Sequence, residues 1–308
     1  MLLTMKKNRI HIKSIDQVHQ FLKLGKPQHP FITVFPFGKK QSHAIIEDFR
    51  YTLGLYKISI KGNCPYIIST YGRNVYDFQE CSVVFTAPNQ VVEVSKAYKT
   101  EDEACWTLFF HPDLIRRSEL GRKIDQYSFF DYATNEALHL SAEERISLTN
   151  ITEQIKKEYS NPVDQYSQPL ILSNLELLLN YCARCYDRQF STRRSLNKDI
   201  VCEFEAFLKD YFNQNKQIES GIPSVETCGK ALNKSGKYLS DVLRAETGKS
   251  LLEHIHLYVI ERAKTDLLSS NRSVREIAYS LGFVYPQHFS KVFRAKTDMS
   301  PSEFRQLA

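Results

Sequence analysis

Two stretches of the chain carry hydrogen-bonding side chains at matched positions. In the first, Gly236, Lys237, Ser240, Asp241 and Arg244 fall on the outer side of a helical period or at its start. In the second, Pro286, Gln287, His288, Lys291 and Arg294 hold the corresponding places. Lysine and arginine donate to guanine acceptors or to phosphate oxygens, and glutamine can make the bidentate contact that adenine offers. Serine can take either role, whereas aspartate accepts from cytosine but sits poorly beside phosphate. Together these are the groups of a surface that reads base-pair edges in a groove. Taken alone they would equally suit two solvated helix faces, so the elements that hold them decide between the readings.

Those elements are a repeat. Val225 to Leu232 (VETCGKAL) is echoed 49 residues on by Val274 to Leu281 (VREIAYSL). Beyond the turn the offset becomes 50, matching Leu239 with Phe289, Val242 with Val292, Leu243 with Phe293, Thr247 with Thr297 and Ser250 with Ser300. Each unit, 224–245 and 273–296, reads as a helix, a short turn at Asn233 or Gly282 where positive φ is tolerated, and a second helix whose apolar positions face the first. This is helix-turn-helix geometry. Between the units, Ser250 and Glu253 form a capping box that opens a helix to about Leu268, 19 residues or ~28 Å long. Units packed at its two ends would set their second helices roughly 34 Å apart, one duplex turn, so both could enter successive major grooves. Two further capping boxes, Ser273 with Glu276 and Ser300 with Glu303, punctuate the helices, and Pro301 stands at a first helical position where its missing donor is harmless.

The run Ser273 to Arg294 (SVREIAYSLGFVYPQHFSKVFR), closed by Ser300 to Arg305 (SPSEFR), closely resembles the signature of AraC/XylS-type transcription regulators. The resemblance covers about Asn197 to Ala308 and includes Tyr238-Leu239-Ser240, Glu246 to Ser250, and the linker-helix pattern Glu261-Arg262-Ala263-Lys264 followed by Leu267-Leu268. The chain departs from that pattern at Cys228 and Gly229, where the family usually has Leu and Ala, an exchange expected to soften the first unit. Asp298 replaces a usual Gly, and aspartate tolerates a left-handed cap better than most residues, so the fold should survive. The N-terminal half is more faintly similar to the family's cupin-like sensor domain, through Leu55 to Gly62, Val83 to Pro88 and Cys105 to Phe110 before His111-Pro112. Glu80 and Cys81 stand where such sensors often carry Gly-Asp, and Val92-Glu93 where many cupins show His. No His-x-His with a following carboxylate appears, so no catalytic metal and no cofactor are expected.

The rest of the chain agrees with two domains. At 308 residues, 42% hydrophobic and 25% charged, with 11 Gly and 11 Pro, it is ordinary globular protein. From about Phe31 to Phe110 apolar residues alternate, as in Tyr56, Ile58 and Ile60, between turn signals at Gly54, Gly62-Asn63, Gly72, Pro88 and His111-Pro112. Short antiparallel strands in a small barrel or sandwich are expected. After Ser141, itself opening a capping box with Glu144, the period turns helical through Leu148, Ile151 and Ile155 to about Lys157. A second helix, from about Gln165 to Asp187, places Ile171, Leu172, Leu175, Leu178, Leu179 and Cys182 along one face. The fold class is thus α+β in two domains: an N-terminal cupin-like antiparallel β-barrel with following helices, and a C-terminal all-α double helix-turn-helix domain. The expected boundaries are 1–190 for sensing and dimerisation, 191–196 as linker and 197–308 for DNA binding.

Charge and cysteine usage bound the partners. The formal charge is +6, and thirteen basic against eight acidic residues from Thr227 onward place most of it at the C-terminus, compatible with nucleic acid. No apolar run is long enough for a membrane span, and Lys6, Lys7 and Arg9 lack the apolar segment of a secretory signal, so a cytoplasmic, nucleoid-associated protein is expected. Seven scattered cysteines (64, 81, 105, 182, 185, 202, 228) read as reduced thiols. Cys182 and Cys185 form a lone C-x-x-C better read as packing than as a metal or redox pair. His254 and His256, two apart, point to different faces and read as ordinary polar or packing residues. Lys61, Tyr71, Arg73, Glu93 and Trp106 are candidates to line a sensor pocket, with core or surface roles as the plainer reading.

The repeat and the family resemblance together imply a DNA-binding transcription regulator, an activator and not an enzyme, controlled by a small molecule in the N-terminal barrel. The implied partners are double-stranded promoter DNA, RNA polymerase, and a second copy docking through the 165–187 helix, whose stripe could equally pack on the barrel. Two rival readings are a cupin-type enzyme with a helical nucleic-acid-binding tail, and a regulator without a small-molecule effector.

Overall fold

The computed structural model describes residues 10–36, 49–61, 81–94, 106–133, 136–162, 164–192 and 194–306. The chain separates into two compact units, Met1–Gln189 and Phe190–Ala308. Among its described residues the first has eight strands: β1 (Ile10–Ile12), β2 (Ile32–Pro36), β3 (Phe49–Leu53), β4 (Tyr56–Lys61), β5 (Ser82–Thr86), β6 (Val91–Val94), β7 (Trp106–Phe110) and β8 (Leu138–His139). Five of them form an antiparallel sheet in the order β2-β7-β4-β5-β8. The other three form a second sheet, β1-β3-β6, in which β1 runs parallel to β3. Among the described residues the five-stranded sheet does not close on itself, so the expected barrel is reduced to two sheets. Alternation reports which face of a strand is buried and is silent on whether the outermost strands meet.

Between β1 and β2 lies α1 (Ile15–Phe21), capped by Ser14, with Ile15 and Val18 buried. After β7 come α2 (Pro112–Ile115), which His111 caps by accepting the Asp113 N–H, then α3 (Glu119–Lys123) and two short 3-10 turns, Ile124–Gln126 and Ser128–Asp131. Two long helices complete the unit. In α4 (Ala142–Ser160) the expected capping box is present in full: Ser141 accepts the Glu144 N–H, and Glu144 accepts the Ser141 N–H. Helix α4 covers one sheet face, with the Tyr159 hydroxyl bonded to both backbone groups of Val34. In α5 (Ser167–Thr192), Ile171, Leu175, Leu178, Leu179, Cys182 and Tyr186 are buried. Tyr186 stacks on Phe129 and tilts against Phe85 of β5.

The second unit is helical: α6 (Arg194–Asn213), α7 (Lys216–Ser220), α8 (Val225–Ala231), α9 (Gly236–Thr247), α10 (Leu251–Ser269), α11 (Val274–Ser280), α12 (Pro286–Thr297) and α13 (Pro301–Arg305). The described residues of the stretch read as a linker, 191–196, are helical, because α5 ends at Thr192 and α6 starts at Arg194. An absent apolar period there reflects exposure of Ser191 and Thr192, since periodicity signals a buried face and not helicity itself. No helix among the described residues is long and apolar enough to cross a membrane.

Candidate nucleic-acid interface

Both halves of the repeat fold into two helices joined by a tight turn. Ser224 caps α8 by accepting the Thr227 N–H, and Ser235 caps α9 by accepting the Tyr238 N–H. The turn between them bends at Asn233, φ 54°. In the second unit Ser273 and Glu276 form the full capping box of α11, and the chain turns at Gly282, φ 90°. The buried faces match across the repeat, with Leu239, Val242 and Leu243 of α9 answered by Phe289 and Phe293 of α12. Gly248 and Asp298 end the two helices in the same left-handed conformation, each N–H returning to the carbonyl of Arg244 or Arg294. Asp298 thus serves where glycine is usual.

Helix α10 joins the pair through one core. It buries Leu251, Ile255, Val259, Ile260, Ala263 and Leu267, which share a cluster with Leu239, Leu243, Phe289 and Phe293. At its start the Leu251 N–H donates to the Ser240 hydroxyl of α9 (3.3 Å); near its end the Arg305 Nε of α13 donates to the Leu267 carbonyl (3.2 Å). The capping box at its head is complete, as is the one at Ser300.

Gly229 and Gly236 explain how closely α8 and α9 meet. A Cβ on Gly229 would stand 2.7 Å from the Lys234 carbonyl and 2.8 Å from the Gly236 nitrogen, and one on Gly236 would stand 2.8 Å from the Val225 carbonyl. The departure at Gly229 therefore lets the helices approach, where the sequence suggested a softer unit. Cys228 beside it is fully buried, and burial pushes its thiol up to about 12.

The outer faces carry the proposed reading groups unevenly. Lys237 and Arg244 of α9 are exposed, while Asp241 pairs with Arg244 three residues on at 3.7 Å. Ser240 is half-buried and turned to α10 through its bond with Leu251, so it is a bracing residue; Gly236 is packed on Val225. On α12, Gln287, His288, Lys291 and Arg294 are all exposed, and Pro286 occupies the first turn. His288 meets the Phe283 ring edge-on at 5.7 Å. Helix α12 contains no acidic residue. Just before it, Val284 and Tyr285 are 71% and 70% exposed, the most exposed of the large hydrophobic side chains described. Sequence reasoning missed this pair, whose signal was two bulky residues where a polar cap is usual; Tyr285 provides no side-chain cap to α12.

Of the sensor candidates, Trp106 alone has a described side chain. Trp106 is buried and donates its indole N–H to the Thr149 hydroxyl of α4 (3.1 Å), so it lies under the helix layer. In the strand register Lys61 closes β4 opposite Ser82, and Glu93 stands opposite Arg50. Tyr71 and Arg73 fall outside the described residues. Cys182 and Cys185 are both buried on α5, with the Cys185 thiol raised to about 12 chiefly by burial. His254 is bonded to the Thr247 hydroxyl at 2.7 Å and held below its ordinary pKa, mainly by burial.

A helix-turn-helix domain family matches residues 228–307, spanning most of α8 through α13. Regulatory protein SoxS of Salmonella typhimurium is 33% identical over 82 residues, 27% of this chain and 77% of its own length. The chain belongs to the AraC/XylS family. Two other relatives of AraC/XylS type reach into the first unit. The uncharacterized HTH-type transcriptional regulator YijO of Escherichia coli is 25% identical over 193 residues, 63% of this chain and 64% of its own. The HTH-type transcriptional activator RhaS of Citrobacter koseri is 24% identical over 213 residues, 68% of this chain and 72% of its own. The chain thus spans just under two thirds of YijO.

Proposed function

We propose that this AraC/XylS chain is a sequence-specific, DNA-binding transcription regulator that reads two neighbouring half-sites of promoter DNA, one with α9 and one with α12. The observation that carries the reading is the duplicated helix pair held in one core by α10, with Lys237, Arg244, Gln287, Lys291 and Arg294 exposed on matched faces. Cationic groups supply salt-dependent phosphate binding, and Gln287 supplies a bidentate partner for adenine. Activation, with RNA polymerase as the protein partner, is supported by the match to RhaS, which is named an activator. The first unit acts as a sensor that holds a small-molecule effector, which shifts the balance between binding-competent and incompetent states.

A second copy would dock on α5, but not through the stripe first considered. Ile171, Leu175, Leu178, Leu179 and Cys182 are buried within their own unit, leaving exposed Tyr166, Leu170 and Leu177 on and beside the helix for a partner.

The regulator reading is tested by selecting bound duplexes from a random pool with the full-length protein across a salt series. Enrichment of paired motifs about one helical turn apart, weakened by the Lys237→Ala, Gln287→Ala double variant, is the expected result. Salt-sensitive binding without any enriched motif would refute it.

A further inference from the structure

The repeat breaks at the entry to its second reading helix. Residues 234 and 235, before α9, correspond at the offset of 50 to 284 and 285, before α12. In the first half of the repeat these are Lys234 and Ser235, both half-buried, and the Ser235 hydroxyl accepts the Tyr238 N–H at 3.2 Å as an ordinary cap. In the second half they are Val284 and Tyr285, which leave α12 without a side-chain cap. The exchange forgoes a hydrogen bond that stabilises a helix start. It also leaves two bulky apolar side chains 71% and 70% exposed, where they add little to the core.

The pair stands on a fixed backbone. Before it, Gly282 turns with positive φ and Phe283 is seated in the core, its N–H donating to the Ala278 carbonyl at 3.0 Å. After it, Pro286 restricts Tyr285 to extended backbone, found at φ −122° and ψ 117°. The Tyr285 carbonyl accepts the N–H groups of His288 and Phe289 at 3.0 and 3.3 Å. A contact made by Val284 and Tyr285 therefore has little backbone left to order.

Their neighbours indicate what that contact is. Gln287, His288, Lys291 and Arg294 follow directly, exposed on a helix that carries no acidic residue. Such a face suits a polyanion, and the first residues of a reading helix are those that meet base edges. Base edges in the major groove are polar with one exception, the C5 methyl of thymine. A protein surface fits less well, because two apolar residues beside cations fall far short of the ~800 Å² that each partner buries in a stable interface.

We propose that Val284 and Tyr285 read a thymine by packing on its C5 methyl group, next to the base pair that Gln287 contacts. The proposal rests on the reading of α12 as a groove-binding helix and adds an apolar specificity determinant to its polar contacts.

The test uses the full-length protein and a selected duplex, in which the α12 half-site is the one whose preference Gln287→Ala relaxes. Its thymines are replaced one at a time by deoxyuridine, which removes the methyl and keeps every hydrogen-bonding group of the base. Wild-type affinity is expected to fall roughly fourfold at one thymine, the worth of one buried methyl group. The Val284→Ser, Tyr285→Ser double variant should bind the thymine and uridine duplexes equally at that position. Its unfolding midpoint should be no lower than the wild type's and its salt slope unchanged, since an apolar contact releases no counter-ions. Gln287→Ala should keep the discrimination. The proposal is overturned if the half-site contains no thymine, if no uridine exchange weakens wild-type binding, or if the double variant still discriminates. A double variant that binds both duplexes as the wild type does but no longer recruits RNA polymerase would overturn it in favour of a protein partner. Absence of any enriched motif with the wild type would instead remove the regulator reading, and this proposal with it.

Discussion

Gly282 and Gly248 both hold positive φ, 90° and 74°, but in different surroundings. A Cβ on Gly248 would meet nothing within 4 Å. On Gly282 it would stand 2.9 Å from the Gln217 carbonyl and 3.0 Å from the Ile222 nitrogen, both backbone atoms that cannot swing aside. Gly248→Ala therefore bears only the left-handed backbone penalty, about 1–2 kcal/mol. Gly282→Ala bears that and a packing penalty of about 1–3 kcal/mol, for a total of roughly 2–5 kcal/mol. Urea unfolding of the full-length protein, followed by a helical signal from the second unit, separates the two. Because Gly282 sets the path from α11 into α12, its variant should also weaken binding at the half-site that α12 reads, while Gly248→Ala leaves that half-site nearly unchanged. Equal destabilisation by the two substitutions would refute the reasoning, since it would mean that α7 does not press on this turn.

Other expected outcomes follow from the same geometry. Gln287→Ala should relax preference at one base position at a cost of about 1–3 kcal/mol, whereas Arg294→Ala should weaken all sequences alike and lower the salt slope by about 1; competition binding at several salt concentrations tells them apart. Replacing Val284 and Tyr285 by Ser should change stability by less than about 0.5 kcal/mol, because both are exposed, but lower affinity for a selected duplex about tenfold; unchanged affinity would remove them from the interface. Hydrogen bonds from the capping serines hold Glu253, Glu276 and Glu303 below the ordinary 4.5. Their contribution is complete above the unfolded carboxylate value and fades as pH falls through the lowered folded values. Unfolding midpoints measured from about pH 6 down to about pH 3 should therefore fall less steeply in a triple Glu→Gln variant.

The second unit was largely legible from residues alone because its signals are local. Serine and glutamate three apart marked three of its helix starts, and each forms both capping bonds. Asn233, Gly282 and Asp298 marked left-handed turns, and the paired apolar positions marked the buried faces. What escaped was set by neighbours distant in sequence. Ser240 looks like a reading residue by its place on α9, and only the approach of α10 shows that its hydroxyl is committed to Leu251. Gly229 looks like a weak helix residue until the Lys234 carbonyl is found against it. In the first unit, alternation located the strands but not their distribution over two sheets, which depends on pairings as remote as Ile10 with Tyr51.

The most direct measurement of the central claim uses a selected duplex carrying both half-sites and a second in which about five base pairs, half a helical turn, are inserted between them. If α9 and α12 are held by α10 to read successive grooves on one face, the insertion should reduce full-length affinity to that of a single half-site. Affinity that is indifferent to the insertion would contradict the account, because only one of the two helices would then be reading the DNA.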